Sequence, residues 1–135
     1  MKLKKFSYKK VISTNLTAIR LIRVGKSSGF VTSEIQSKGR GQRGNKWISK
    51  YGNIFISVFF SINQKISIQN ITKKNLNIVK KIIRKYVNKK IEIKRPNDIL
   101  IEKSKVCGIL QETLFKDESK YLIIGVGINL ANTPY

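Results

Sequence analysis

The sequence contains no histidine, one cysteine, one tryptophan and two prolines, and only 7 acidic residues stand against 28 Lys and Arg. Without histidine there is no imidazole to act as base, nucleophile or metal ligand, and Cys107 alone supports neither an internal disulfide framework nor a cysteine-cluster zinc site. Chemistry is left to Lys, Arg, Asp, Glu, Ser, Thr, Asn and backbone amides. No apolar run approaches the roughly 18 residues that a membrane span needs. The basic segment Met1 to Lys10 is not followed by a signal-peptide core, so a cytoplasmic protein with no membrane partner is expected.

What is present is 135 residues with 41% hydrophobic content, enough to fill one core. No linker, repeat or Pro/Gly-rich boundary divides the chain, whose only prolines are Pro96 and Pro134, so a single domain over 1–135 is expected. The net charge of +21 invites a polyanionic partner. Lys, Ile and Asn dominate everywhere while Arg numbers only 6, the drift of an AT-rich coding sequence, so charge by itself marks no specific nucleic-acid surface.

Local patterns divide the chain into elements. STNLTAIRLIRV, 13–24, places Leu16, Ile19 and Ile22 or Arg23 at helical spacing, with Ser13 or Thr14 as cap and Gly25 as stop. Gly29 to Ile35 and Asn53 to Phe60 read as strands. Thr72 to Lys89 reads as an amphipathic helix with Leu76, Val79, Ile82, Ile83, Tyr86 and Val87 on its apolar face and a solvated lysine face behind. Strands follow at 91–94, 99–102, 106–115 and 121–128, with a turn at 116–120. Short connections between them imply a mixed, mostly antiparallel sheet flanked by helices, an α+β fold.

Three clusters stand out. SKGRGQRGNKW, 37–47, gathers three glycines, two arginines and two lysines where backbone amides are free, which suits anion binding, a hairpin connection or an RNA-contacting loop. Gly39-x-Gly41-x-x-Gly44 matches the dinucleotide fingerprint in letters only, because Lys46-Trp47-Ile48 leads towards a strand rather than opening a helix. Lys94-Arg95-Pro96-Asn97-Asp98, with Lys105 close behind, is either ordinary turn chemistry or a carboxylate placed to hold Mg²⁺ beside substrate phosphates. Gly125-Val126-Gly127-Ile128-Asn129 sets small residues inside an apolar strand, the mark of a bulge, a crowded crossing or a close approach by another group.

In this order four blocks resemble the catalytic domain of the biotin protein ligase family. They are Ser13-Thr14-Asn15; 34–47 from Glu34 to Trp47; Lys94 to Asp98 with 105–112 (KVCGILQE); and Ile124 to Asn129. The resemblance covers nearly all of residues 11–132 and implies a fold of the class II aminoacyl-tRNA synthetase type. It also implies a two-step reaction with biotin, ATP and Mg²⁺: formation of biotinyl-5′-AMP, then transfer to a lysine of the biotin carboxyl carrier protein of acetyl-CoA carboxylase. A site that joins a carboxylate to a triphosphate must be cationic and amide-rich, which fits the residues present.

Carried over by resemblance, Lys105, Arg40 and Asp98 are catalytic, with Asp98 also the metal contact. Ser13, Thr14, Asn15, Gln36, Arg40, Gly41, Gln42, Lys105 and Gly108 contact biotin, and Arg43, Trp47, Asn97 and Asn129 contact the nucleotide. Gln42 stands where many members carry another arginine, and Arg95 where an aromatic is usual. The chain is expected to lack both the helix-turn-helix domain of repressor members and the helices and small β-barrel that follow the Gly-x-Asn block. A lipoate or other small-acid ligase of the same fold, and a truncated non-catalytic basic domain binding nucleic acid, are the alternatives.

Overall fold

The structure is a computed structural model that describes residues 2–130; Pro134 lies outside the described residues. Its elements are β1 (Lys5–Val11), α1 (Thr14–Arg23), β2 (Ser28–Gln36), β3 (Ile54–Ile62), α2 (Ile68–Arg84), β4 (Ile91–Lys94), β5 (Asp98–Ile101), β6 (Ser104–Lys116) and β7 (Ser119–Ile128). The strands form one seven-stranded sheet in the order β1-β2-β3-β7-β6-β5-β4. Only β1 and β2 run parallel, joined through α1, and every other neighbour is antiparallel.

The two helices cover opposite faces of the sheet. Ala18 and Ile22 of α1 pack with Val31, Phe59 and Ile123, while Leu76 and Ile83 of α2 pack with Ile91, Ile99, Cys107 and Ile109. Register explains the division: Cys107 pairs with Ile128 and Ile109 with Val126 on the α2 face, whereas Gly108 pairs with Gly127 and Leu110 with Gly125 on the α1 face.

Helix ends follow side-chain chemistry. Ser13 Oγ accepts the Leu16 amide at 3.2 Å, and Gly25 at φ +102° closes α1 with bonds from the Gly25 and Lys26 amides to the carbonyls of Ile22 and Leu21, both 3.0 Å. Helix α2 starts at Ile68 rather than Thr72, because Ser67 Oγ caps the Asn70 amide. It ends at Arg84 rather than Lys89, and Ile82 and Tyr86 are exposed, Tyr86 at 82%, so the apolar stripe read from the sequence is wider than the buried one. Strand β1 was not expected from the sequence. Its side chains are mostly exposed, so its place is fixed by backbone pairing to β2 rather than by an apolar pattern.

The β5–β6 and β6–β7 hairpins turn through Glu102-Lys103 and Asp117-Glu118, all four in the left-handed region with φ between +47° and +70°. Ile101 pairs with Ser104 and Lys116 with Ser119, so each is a two-residue turn whose twist matches the strands.

Candidate active site

A cavity of about 230 Å³ opens on the α1 face, between the first turn of α1, the 39–47 loop, the start of β5, the first half of β6 and the C-terminal part of β7. It is lined by Ser13, Thr14, Asn15, Gln36, Arg40, Gly41, Gln42, Arg43, Trp47, Asn97, Asp98, Lys105 and Gly108, every site residue read from the sequence except Asn129. Asn129 stands just outside: its Oδ1 accepts from Asn53 Nδ2 at 3.4 Å and its Nδ2 donates to the Lys105 carbonyl at 3.5 Å.

Lys105 reaches the cavity because of a β-bulge. Ile99 pairs with Cys107, but the next residue, Leu100, pairs with Lys105, leaving Val106 as the extra residue. Lys105 thereby shares the face of Leu100 and not the α2 face of Ile99, the face that strict alternation from Cys107 would give it. Its ammonium lies 3.2 Å from Asp98 Oδ1 and 5.2 Å from the centre of the Trp47 ring. The approach to Oδ1 lies outside hydrogen-bond geometry, so this buried oxygen has a charge partner and no hydrogen-bond donor. Asn97 holds the turn before Asp98 against β6: its Nδ2 donates to the Ile109 carbonyl at 2.7 Å, and its own carbonyl accepts the Ile109 amide at 3.0 Å.

Trp47 is buried on a platform of glycines. A methyl group at Gly127 would lie 2.6 Å from its Cε2 and Nε1, and one at Gly108 would lie 2.8 Å from Cζ3. Asn15 uses Gly125 in the same way, since a methyl there would lie 2.9 Å from Asn15 Cγ. The small residues in β7 therefore mark close approaches by two side chains, one of the readings left open by the sequence.

The 39–47 loop is a tight hairpin. Trp47 N donates to Gly39 O at 2.9 Å and Gly41 N to Asn45 O at 2.7 Å, with one 3₁₀ turn, Gln42–Gly44, at its tip. Arg43 and Gly44 both take positive φ there.

A continuous polar chain runs beneath the loop. Gln36 Nε2 donates to Ser49 Oγ at 3.0 Å, and Gln36 Oε1 accepts the Thr14 amide at 2.8 Å. Ser57 Oγ lies 2.5 Å from Asn15 Oδ1 and 2.7 Å from Thr14 Oγ1. A serine has one proton, and the acceptor-only Asn15 Oδ1 takes it, which leaves the single Thr14 hydroxyl proton to be shared between Ser57 Oγ and Gln36 Oε1, the latter at 3.2 Å. Asn15 Nδ2 donates to Leu110 O at 3.2 Å and Glu112 Oε1 at 3.0 Å, and Glu112 receives Arg40 at 2.6 and 3.3 Å. Both amide hydrogens of Asn15 are thus used inside the protein. Ser57 and Glu112 were not singled out from the sequence. A serine inside NIFISVFF and one of only seven acids were the available signals.

The charges are arranged in pairs and singles. Arg40 is matched by Glu112 and Lys105 by Asp98, while the Arg43 and Lys46 side chains at the mouth have no ion-pair partner among the described residues. No cluster of three or more His, Cys, Asp or Glu able to hold a metal occurs among the described residues. Asp98, with a buried oxygen free of hydrogen-bond donors, fits a Mg²⁺ ion only as a single protein ligand, with substrate phosphates completing the shell. No helix among the described residues is long and apolar enough to cross a membrane.

This mixed sheet, with its cavity beneath a glycine loop, defines an α+β domain of the biotin protein ligase catalytic type. The chain belongs to the biotin/lipoate A/B protein ligase family, which matches residues 9–129. It is 34% identical over 122 residues to the bifunctional ligase/repressor BirA of Escherichia coli, an alignment covering 88% of this chain and 38% of that protein. The chain therefore spans well under half the length of that relative. Biotin protein ligase from Aquifex aeolicus, in complex with biotin and ATP, superposes with a TM-score of 0.78 at 31% identity, covering 97% of this chain and 55% of the other. The Helicobacter pylori biotin acetyl coenzyme A carboxylase synthetase shares the fold with a TM-score of 0.80 at 20% identity, over 99% of this chain and 64% of that one.

Proposed function

We propose that this chain is the catalytic domain of a biotin–[biotin carboxyl carrier protein] ligase, which joins biotin to ATP as biotinyl-5′-AMP and passes it to a carrier-protein lysine. The observation that carries the reading is the convergence of four separated sequence blocks on one cavity. Residues from the start of α1, the 39–47 loop, the 94–98 turn with β6, and β7 line the same space. A volume of about 230 Å³ suits a small acid better than a whole dinucleotide.

In the first step a biotin carboxylate oxygen attacks the α-phosphorus, and the bond to the pyrophosphate oxygen breaks. In the second the carrier amine attacks the acyl carbon and AMP leaves. Lys105, fixed by the bulge and by Asp98, supplies a positive charge where two anionic groups must meet. Arg43 and Lys46, unpaired at the mouth, add charge beside it. The hydroxyls of Ser13 and Thr14 and the amide of Gln36 face the inner end, where a ureido ring has both donors and acceptors to satisfy. Mg²⁺, when bound at Asp98, screens phosphate charge. Burial of Trp47 on its glycine platform gives the cavity a rigid, water-excluding wall. The acceptor is the biotin carboxyl carrier protein of acetyl-CoA carboxylase, and the work is carried out in the cytoplasm.

Calorimetric titration with biotin, with and without Mg-ATP, followed by mass spectrometry of the adenylate, tests the reading. Biotin-dependent heat and a biotinyl-AMP product are expected. Preference for lipoate over biotin in the same assay, or salt-sensitive nucleic-acid binding with no response to biotin, would overturn it.

A further inference from the structure

The polar chain beneath the cavity begins and ends on the connection between β2 and β3. Ser49 lies at one end and Arg40 at the other, and between them the chain passes through β2, the first turn of α1, β3 and β6. Glu112 is its only carboxylate. One oxygen, Oε1, receives both Asn15 Nδ2 at 3.0 Å and Arg40 at 2.6 Å, and Oε2 receives the second Arg40 nitrogen at 3.3 Å. The residues it joins are 72 and 97 positions away in sequence.

We propose that Glu112 is a positioning residue, a latch that holds the 39–47 loop closed over the cavity and fixes Asn15 at the same time. Three features support this. The Arg40 pair is forked, which fixes direction as well as distance. Asn15 is held at both ends of its amide, because Ser57 holds its oxygen and Leu110 and Glu112 hold its nitrogen, while Gly125 leaves the space in which it sits. Glu112 takes no place in the cavity lining, so its effect on a ligand must pass through Arg40 and Asn15. Loop closure and the geometry of the inner pocket are thus coupled through one carboxylate. The substrate named below rests on the biotin-ligase reading, but the latch does not.

The test compares wild type with Glu112→Gln, Glu112→Ala and the control Glu102→Gln, whose partner Lys89 is a distant surface contact at 4.0 Å. Two measurements are made: tryptic cleavage after Arg40, Arg43 and Lys46, and the split of biotin KM against kcat. Both Glu112 variants are expected to raise loop cleavage about tenfold, since each loses the charge-assisted fork. Glu112→Gln keeps an acceptor for Asn15, so its biotin KM should rise less than that of Glu112→Ala, with kcat falling less than KM rises in both. The control should match wild type. Should Glu112→Ala fail to fold, the isosteric Glu112→Gln decides by cleavage alone. Cleavage within about twofold of wild type in Glu112→Gln, the response of a solvent-screened surface pair, overturns the latch. Absence of biotin binding in wild type overturns the ligase reading instead and leaves the cleavage comparison valid.

Discussion

Gly108 and Gly127 face each other across the β6–β7 ladder, and the indole of Trp47 fills the space that their missing side chains leave. The pair is a slot cut through two neighbouring strands, and it sets the depth to which the 39–47 loop can settle. Trp47 is the only tryptophan in the chain, so the slot carries its own fluorescent reporter.

Gly127→Ala is expected to push the indole out. Its Cβ would lie 2.6 Å from two ring atoms, and overpacking of this kind costs about 1–3 kcal/mol. Denaturant melts should show the loss, and the fluorescence maximum of the folded variant should shift to the red. Unchanged emission and stability would show that the platform is not needed.

Lys105→Ala should lower the rate of adenylate formation by roughly 10²–10³, the usual effect of removing one donor aimed at developing charge. It also leaves the buried Asp98 oxygen without its cation. Pyrophosphate release measured at saturating biotin and Mg-ATP checks the rate, and a circular dichroism melt confirms that the variant is folded.

Ser57→Ala removes a fully buried hydroxyl that touches both Thr14 and Asn15. Leaving such partners unsatisfied costs about 1–3 kcal/mol. The control Thr32→Ala, which loses only an exposed 3.3 Å contact with Ser7, should change stability by less than ~0.5 kcal/mol. Urea denaturation of the two variants gives the comparison.

Cys107 provides a pH signature. Burial first, and then the Asp98 carboxylate, push its thiol from 9.0 up to about 12, with Lys105 opposing. The folded protein therefore holds this proton more tightly than the unfolded chain, so its contribution to stability is complete below pH 9.0 and lost as pH rises towards about 12. Lysines also titrate in this range, so the measurement is the difference between wild type and Cys107→Ala. The wild-type melting temperature should fall more steeply across that window. Native Cys107 should also resist alkylation at pH 9, where an exposed thiol reacts readily.

The sequence and the structure agree where side-chain chemistry is local. The Ser13 cap, the Gly25 stop, the strand through Phe55 to Phe59 and the loop between Gly39 and Trp47 are all visible in short windows, because one or two residues decide each. The resemblance then supplied nearly the whole cavity lining. Strand β1 was not legible, since KFSYKKV has no clear alternation and its position depends on a partner more than twenty residues away. The bulge at Val106 was not legible either. Lys105 and Gly108 are three apart, a spacing that alternation places on opposite faces, and only the pairing of β5 with β6 reveals the extra residue. Glu112 escaped because its two partners come from distant parts of the chain.

The two short hairpins that carry Glu102-Lys103 and Asp117-Glu118 have a practical consequence. Left-handed backbone costs an ordinary residue about 1–2 kcal/mol, and neither turn contributes to the cavity. Asn-Gly in place of either pair would relieve that strain. The molecule thus offers an engineer two separate places to gain thermal tolerance while the reacting groups stay untouched.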